Sequence, residues 1–132
     1  MKIIGTFSTS LDARKRMYVP AVVRRALGSP FYVTVSQQRC ITAYDAEGWQ
    51  RLTAKFGTLS KEDPAMLRPL FSRAILCEAD KRGYIVLTDH LIGFAGLKKD
   101  VTVAGCGDTC EFWDTEIWNE HMRGDAAEGL EK

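Results

Sequence analysis

The chain has 132 residues, of which 45% are hydrophobic and 27% are charged, and its formal net charge is +1. These values are typical of a folded globular protein and exclude a largely disordered chain. A net charge this close to zero also excludes a strong overall attraction to nucleic acid. Any such binding would have to come from local clusters of charge.

An internal repeat organises the chain. The segment LDARKRMYVPAVVRRALG (11–28) returns as ADKRGYIVLTDHLIGFAG (79–96), at an offset of 68 residues (79 − 11). YDAEGW (44–49) returns as WDTEIW (113–118), at an offset of 69 (113 − 44). A half of about 65 residues buries little surface on its own, so both halves are expected to share one core. The predicted organisation is a first half, a connecting segment, a second half and a flexible tail, at residues 1–57, 58–69, 70–122 and 123–132.

The first half predicts a series of short elements. They are, in order, a strand (1–9), a charged turn, a strand (16–19), a short helix (21–27), a hairpin (31–36 and 39–44) and a helix that follows Asp45. Pro20 suits the first turn of the short helix, where a missing N–H costs nothing. Gly28 is typical of a helix end. Arg24 and Arg25 are expected to point outward from this helix.

The second half predicts the same series. Its elements are a strand (70–77), a charged turn, a strand (84–87), a short helix capped by Thr88 or Asp89, a hairpin (101–104 and 110–113) and a helix that follows Asp114. Between the halves, Ser60 and Asp63 resemble a capping box for a short helix that Pro69 would end. From Arg123 onward the chain is small and polar, which predicts a frayed tail.

The two charged turns differ in their charge. Residues 12–25 sum to +4 (five basic side chains and one acid), whereas residues 80–97 sum to zero. Arg14, Lys15 and Arg16 place three cations in one loop, where they can reach phosphates, and arginine can also donate to a guanine edge. A loop of this kind taken alone is more often a solvated charged turn.

The aspartates that begin the two turns, Asp12 and Asp80, are expected to support them rather than to bind a ligand. A carboxylate beside a phosphate would repel it, whereas in a turn it can accept backbone N–H groups. Trp49, Trp113 and Trp118 lie in apolar patterns and are expected to anchor the core or an interface.

No catalytic, metal or cofactor site is predicted. The chain has two histidines, no glycine-framed nucleophile and no paired carboxylates outside turns and helix caps. Cys106 and Cys110 lack the paired spacing of a structural zinc site. They flank a predicted hairpin turn, so oxidation could join them. No small-molecule substrate is expected.

The sequence also predicts a cytoplasmic location. No apolar run is long enough to cross a membrane, and the first residues lack the pattern of a secretion signal. The four cysteines give no reason to expect an oxidising compartment.

The chain resembles the MraZ family of bacterial transcriptional regulators. The resemblance lies in the two charged turns and in the aromatic-Asp-x-Glu-x-Trp motif near the end of each half. The resemblance covers roughly residues 1–122. It implies an α+β, β-rich fold in which tandem SpoVT/AbrB-like, swapped-hairpin halves form one pseudo-twofold, barrel-like core with short helices. It also implies a homo-oligomeric ring that binds short direct repeats of double-stranded DNA. Those repeats would lie upstream of the division and cell-wall gene cluster, which places the protein at the nucleoid.

The turn typical of that family is Asp-x-Lys-Gly-Arg. In the first half Arg14 stands for its Lys and Lys15 for its Gly, and in the second half Arg82 stands for its Lys and Tyr84 for its Arg. Thr88 also replaces the proline of the first half. The resemblance therefore assigns DNA contact mainly to the first turn. The implied DNA-binding residues are Arg14, Lys15, Arg16, Lys81, Arg82 and Arg24, and the implied turn-supporting residues are Asp12, Asp80 and Gly83.

An alternative function remains open at this point. Tyr84, Thr88 and the nearly neutral charge would also fit a family member that has lost DNA specificity and acts as a structural or protein-binding ring. A salt titration of DNA binding separates the two, because phosphate contacts give a steep dependence of affinity on salt.

Overall fold

The duplication is visible in the order of elements in the computed structural model, which describes residues 2–59 and 64–130. The elements are β1 (Thr6–Ser10), β2 (Arg16–Tyr18), α1 (Ala21–Leu27), β3 (Phe31–Val35), β4 (Ile41–Tyr44), α2 (Ala46–Leu59), α3 (Pro64–Ser72), β5 (Ile75–Cys77), β6 (Tyr84–Val86), α4 (Asp89–Ala95), β7 (Asp100–Gly105), β8 (Thr109–Asp114) and α5 (Thr115–Leu130). The strands β2 and β6, and the helices α1 and α4, correspond residue for residue at an offset of 68 (84 − 16 and 89 − 21).

The two halves share one antiparallel sheet. Its strand order is β1-β7-β8-β4-β3-β5, and β2 and β6 form a separate two-stranded ribbon. The first strand of each half pairs with the hairpin of the other half, β1 with β7 and β5 with β3. The β4–β8 pairing then joins the two hairpins. Both halves are therefore needed to build the sheet.

Alternating β-branched and aromatic residues explain how the sheet forms its core. One face packs against the ribbon, α1 and α4, and its buried members include Phe31, Val33, Ile41, Val101, Val103 and Phe112. On a second, smaller cluster, Trp113 packs with Ile117 and Trp118 of α5. Trp49 of α2 stacks on Tyr32 with ring centroids 4.8 Å apart.

At the centre of the ribbon, equivalent residues of the two halves pair with each other. Met17 of β2 pairs with Ile85 of β6, and the two residues are also repeat counterparts (85 − 17 = 68). Both side chains are buried in the main core. The charged turns before β2 and β6 consequently lie at opposite ends of the ribbon.

The barrel-like core expected from the resemblance is wrong in one respect. The described strands form an open sheet whose edges are β1 and β5, and these two edges are not paired with each other. The coarser expectation, a strand-rich α+β fold with short helices, is confirmed. The swapped-hairpin relation to AbrB-like proteins stays a prediction.

The strand predicted over 70–77 is also wrong over its first part, because α3 continues to Ser72 and β5 begins only at Ile75. Pro69 lies inside α3 rather than at its end. A proline removes one hydrogen bond from a helix, but helices in proteins are held mainly by packing. Here Leu67 is buried, and the Thr34 hydroxyl donates to the Leu70 carbonyl (2.5 Å). The predicted Ser60–Asp63 capping box lies outside the described residues.

The ends of the chain differ from prediction as well. The first strand begins at Thr6, and before it Ile3 forms an isolated bridge with Gly107. Helix α5 continues to Leu130, where a frayed tail had been expected from Arg123. The segment has no proline, and its two glycines each cost only about 1 kcal/mol in a helix otherwise rich in good helix formers. Along the described ranges, no helix has both the length and the apolar character needed to span a membrane.

Candidate nucleic-acid interface

The turn before β2 is organised by Asp12. Its Oδ1 accepts the backbone N–H groups of Arg14 and Arg16, each at 2.9 Å, and its Oδ2 accepts Nε of Arg16 at 2.9 Å. Hydrogen bonds that favour the ionised carboxylate, above all the one from the Arg16 backbone, hold the pKa of Asp12 below its usual value. The aspartate thus fixes the loop while the neighbouring cations project from it.

The turn before β6 repeats this arrangement. Oδ1 of Asp80 accepts the backbone N–H groups of Arg82 (2.9 Å) and Tyr84 (3.0 Å), and the bond from Tyr84 is the main cause of its lowered pKa. Tyr84 has no guanidinium, so the side-chain bond that Asp12 receives from Arg16 has no equivalent here. The two turns share the same pattern of backbone hydrogen bonds, and the arginine at position 16 is replaced by a tyrosine at position 84.

Each turn is bonded to the strand of the other half. The N–H of Val19 donates to the carbonyl of Gly83, and the N–H of Leu87 donates to the carbonyl of Lys15, both at 2.9 Å. These reciprocal bonds extend the ribbon at both ends. They hold the two loops at a set distance and orientation from each other.

Lys15 and Gly83 occupy the same position in the two turns, and both have a left-handed backbone, with φ of 66° and 93°. A Cβ added to Gly83 would lie 2.8 Å from the Tyr18 ring and 2.9 Å from the Arg24 guanidinium, so a side chain there must displace them. The repeat counterparts of Tyr18 and Arg24 are Val86 and Ile92, which have smaller side chains. This difference allows lysine in the first turn where the second needs glycine.

The predicted DNA-binding residues of the turns lie at the two ends of the ribbon. Arg14, Lys81 and Arg82 are exposed, and Arg16 is partly exposed. Two of the cations are paired: Nζ of Lys15 lies 2.7 Å from Oδ1 of Asp89, and Nε of Arg16 lies 2.9 Å from Oδ2 of Asp12. The two turns therefore present five cations at the ends of the ribbon, and three of them form no ion pair within the described residues.

Arg24 does not point outward as predicted. Its Nε donates to the Val19 carbonyl at 2.8 Å, its Nη2 lies 3.4 Å from the Tyr18 hydroxyl, and its Cζ lies 5.5 Å from the centre of the Tyr18 ring. Through these contacts the Arg24 guanidinium joins helix α1 to the end of β2. Its assignment as a DNA contact stays a prediction, and one that this half-buried geometry disfavours. Arg25, the next residue, is exposed.

Sequence reasoning missed the partners of these cations. Tyr18 and Asp89 belong to the site, and neither was singled out for its contacts. A signal existed for Tyr18, because antiparallel pairing of the repeated strands around Met17 and Ile85 places Tyr18 opposite Tyr84. The Lys15–Asp89 pair joins different halves and had no comparable signal.

The cysteines lie apart from the turns and are free thiols. Cys106 is exposed, while burial raises the pKa of Cys40 and that of Cys77 to about 12. The crosslink considered between Cys106 and Cys110 is absent in this structure. Within the described residues, no three histidine, cysteine or acidic side chains come together as a metal site.

The fold and the paired turns define a class of protein: a duplicated α+β chain whose two halves present matching charged loops from one shared ribbon. A family described as "MraZ protein, putative antitoxin-like" matches residues 3–68 and 70–132. The chain belongs to this MraZ family.

Similar proteins from bacteria carry the name transcriptional regulator MraZ. The chain is 33% identical to the one from Carboxydothermus hydrogenoformans over 124 residues, which are 92% of this chain and 87% of that protein. It is 36% identical to the one from Heliobacterium modesticaldum, over 89% of this chain and 85% of that protein. The relative from Acetivibrio thermocellus is 35% identical, over 89% and 84%. These relatives are named as regulators and not as enzymes.

Proposed function

We propose that the protein is a sequence-specific, DNA-binding transcriptional regulator that contacts duplex DNA through its two charged turns. The observation that carries this proposal is the exposed set of cations at the two ends of the ribbon, in loops whose geometry is fixed by Asp12 and Asp80. Fixed loops are suited to DNA because the phosphates and base edges that they must reach have a regular spacing. The names of the relatives support the same function.

The first turn makes the larger contribution in this proposal. It carries Arg14, Lys15 and Arg16, whereas the second carries Lys81 and Arg82. The first turn also carries Arg16, whose counterpart in the second turn is Tyr84. Because phosphate contacts give affinity and arginine contacts to guanine give specificity, the loss of Arg16 should harm sequence preference most.

The proposed target and assembly follow from the family resemblance. One protomer offers few cations to DNA and would bind weakly by itself. A homo-oligomeric ring that presents the same turns to successive direct repeats gains affinity through effective concentration. The proposed repeats lie upstream of the division and cell-wall gene cluster that contains the protein's own gene, and binding there would place the protein at the nucleoid.

Fluorescence anisotropy tests this function. The purified protein is titrated into a duplex from upstream of its own gene and into a scrambled duplex, at low and at physiological salt. We expect a preference for the native duplex that survives physiological salt, and a loss of about 1–3 kcal/mol in that preference for Arg16→Ala. Arg51→Ala serves as a control, since Arg51 lies on α2 outside the turns and pairs loosely with Glu47.

The alternative is a structural or protein-binding ring that no longer distinguishes DNA sequences. Two observations favour it, namely the ion pair that occupies Lys15 and the tyrosine at position 84. Equal and weak binding to both duplexes, abolished by physiological salt, would establish it in place of the regulator.

A further inference from the structure

The outer face of the ribbon carries a row of four side chains, namely Arg16, Tyr18, Tyr84 and Val86. Met17 and Ile85 point into the core, so their neighbours along each strand point away from it. The pairing places Arg16 opposite Val86 and Tyr18 opposite Tyr84.

Two rings of this row lie between two arginines, Arg16 of the row and Arg24 of the neighbouring helix α1. The Arg16 Cζ lies 5.6 Å from the centre of the Tyr84 ring. Tyr84 meets Tyr18 edge to face, with centroids 5.6 Å apart and planes at 69°, and the Arg24 Cζ lies 5.5 Å from the Tyr18 ring. Contacts of both kinds are favourable, and they hold side chains that would otherwise sample several rotamers.

The guanidinium of Arg16 is held at two points. Its Nε donates to Oδ2 of Asp12, and its plane is steadied by the Tyr84 ring. Among residues 2–59 and 64–130, no hydrogen bond uses its Nη1 or Nη2. The side chain is 40% exposed, so this terminal edge is open to solvent.

Arg24 of α1, at the other end of these contacts, is held differently. It also lies against a tyrosine ring, yet its Nε donates to the Val19 carbonyl and its Nη2 contacts the Tyr18 hydroxyl. Its donors are directed into the protein. Of these two arginines, Arg16 is the one whose two terminal nitrogens both lack a hydrogen bond among the described residues.

We propose that Tyr84 is a positioning residue for Arg16: together with Asp12 it holds the guanidinium so that both terminal nitrogens face one base, a guanine, whose major-groove edge offers two acceptors. Arginine forms its most common specific DNA contact with this edge, through two parallel hydrogen bonds. Tyrosine at position 84 therefore does not simply remove a cation from the second half. It converts that position into a support for the cation of the first half.

This inference rests on the proposed function, and it has a directional consequence. The ribbon presents one supported arginine and not two related ones. Each protomer is therefore expected to recognise an asymmetric sequence with a guanine at one end.

The test compares two substitutions of Tyr84 by the anisotropy titrations described above. Tyr84→Phe keeps the ring and should retain the preference of the wild type for the native duplex. Tyr84→Leu removes the ring and keeps an apolar side chain, and it should lower that preference by roughly 2- to 5-fold, the equivalent of one exposed cation–π contact. The slope of log affinity against log salt should stay the same, since no phosphate contact is lost.

A double-mutant cycle separates positioning from a general structural effect. In an Arg16→Ala background Tyr84→Leu should have no further effect, whereas in an Arg14→Ala background its effect should persist in full. Urea unfolding of each variant shows whether it is folded. An equal effect of Tyr84→Leu in both backgrounds, or none in the wild type, would overturn the inference. Absence of any sequence preference in the wild-type protein would instead overturn the proposed function.

Discussion

At the scale of single residues, Lys15 has a strained backbone conformation. Its φ of 66° lies in the left-handed region, which costs a side chain about 1–2 kcal/mol relative to right-handed conformations. Glycine relieves that cost. We expect Lys15→Gly to be more stable than Lys15→Ala by about 1 kcal/mol, measured by urea unfolding. Both variants lose the ion pair with Asp89, so the comparison isolates the backbone, and equal stabilities would show that the turn is unstrained.

If the protein binds DNA as proposed, Asp89 would compete with a phosphate for Lys15. Their ion pair spans 2.7 Å, and the two side chains are 48% and 80% exposed, so the pair is worth at most about 1 kcal/mol. Asp89→Asn should release Lys15 to a phosphate, raise the affinity for DNA about 2- to 5-fold and steepen its dependence on salt. Asp108→Asn is the control, because Asp108 pairs with Lys2 at the β7–β8 turn. An identical gain in both variants would indicate only a change in net charge.

The residue scale also shows what the sequence could predict of the site. The repeat places Asp12 and Asp80 at equivalent points, and the structure has both accepting N–H groups from their own turns. Such contacts span four residues or fewer, so local chemistry was enough. The prediction that Arg24 points outward was wrong. Its partners, Val19 and the Tyr18 ring, lie at the end of β2, and their position relative to Arg24 depends on how α1 packs.

At the scale of elements, β7 is held to the start of the chain by a close approach of backbones. A Cβ built on Gly105 would lie 2.5 Å from the carbonyl oxygen of Ile3, and backbone atoms cannot turn away as a flexible side chain can. Gly105→Ala should therefore destabilise the protein by about 1–3 kcal/mol. It should also speed hydrogen exchange at the Ile3 N–H, which donates to the Gly107 carbonyl.

Gly93 supplies the matched control for this substitution. It lies inside α4, and a Cβ there meets no atom within 4 Å. Gly93→Ala should stabilise the protein by up to about 1 kcal/mol through helix propensity. Destabilisation by both variants would show that the clash at Gly105 is not the cause.

Elements whose ends carry strong local signals were predicted closely. The helix over 21–27 was found to the residue, and Thr88 caps α4 by accepting the N–H of Leu91. The start of the second half was not predicted correctly, because Leu70 and Phe71 are apolar residues that fit either a strand or a helix. Packing of α3 on β3 decided that question, and no local pattern records it.

At the scale of the whole molecule, the two turn aspartates should link stability to pH. Their pKa values lie below the ordinary value of 3.8 in the folded protein, so the unfolded chain binds more protons in acid. Their contribution to stability is complete above about pH 4 and is lost as pH falls through the lowered values. Urea midpoints at pH 7 and pH 3 test this, and the fall should be smaller for Asp12→Asn than for the wild type. An equal fall would place the acid sensitivity elsewhere.

The order and pairing of the strands in the sheet could not be predicted from the sequence. The repeat predicted two similar halves and a shared core, and these follow from periodicity and from the small size of each half. The reciprocal pairing of β1 with β7 and of β5 with β3 joins residues far apart in the chain. The same hairpins could also have closed a barrel, and nothing in their alternation distinguishes an open sheet from a closed one.

The fusion of both halves into one polypeptide gives the molecule a freedom that a pair of identical subunits lacks. In a symmetric dimer encoded by one short gene, every substitution appears twice, so a lysine that fits beside Val86 would have to fit beside Tyr18 too. A duplicated gene mutates each copy separately. Lys15 could therefore arise where there was room while Gly83 stayed glycine. Arginine and tyrosine at positions 16 and 84 could likewise become complementary partners, which identical copies can never be.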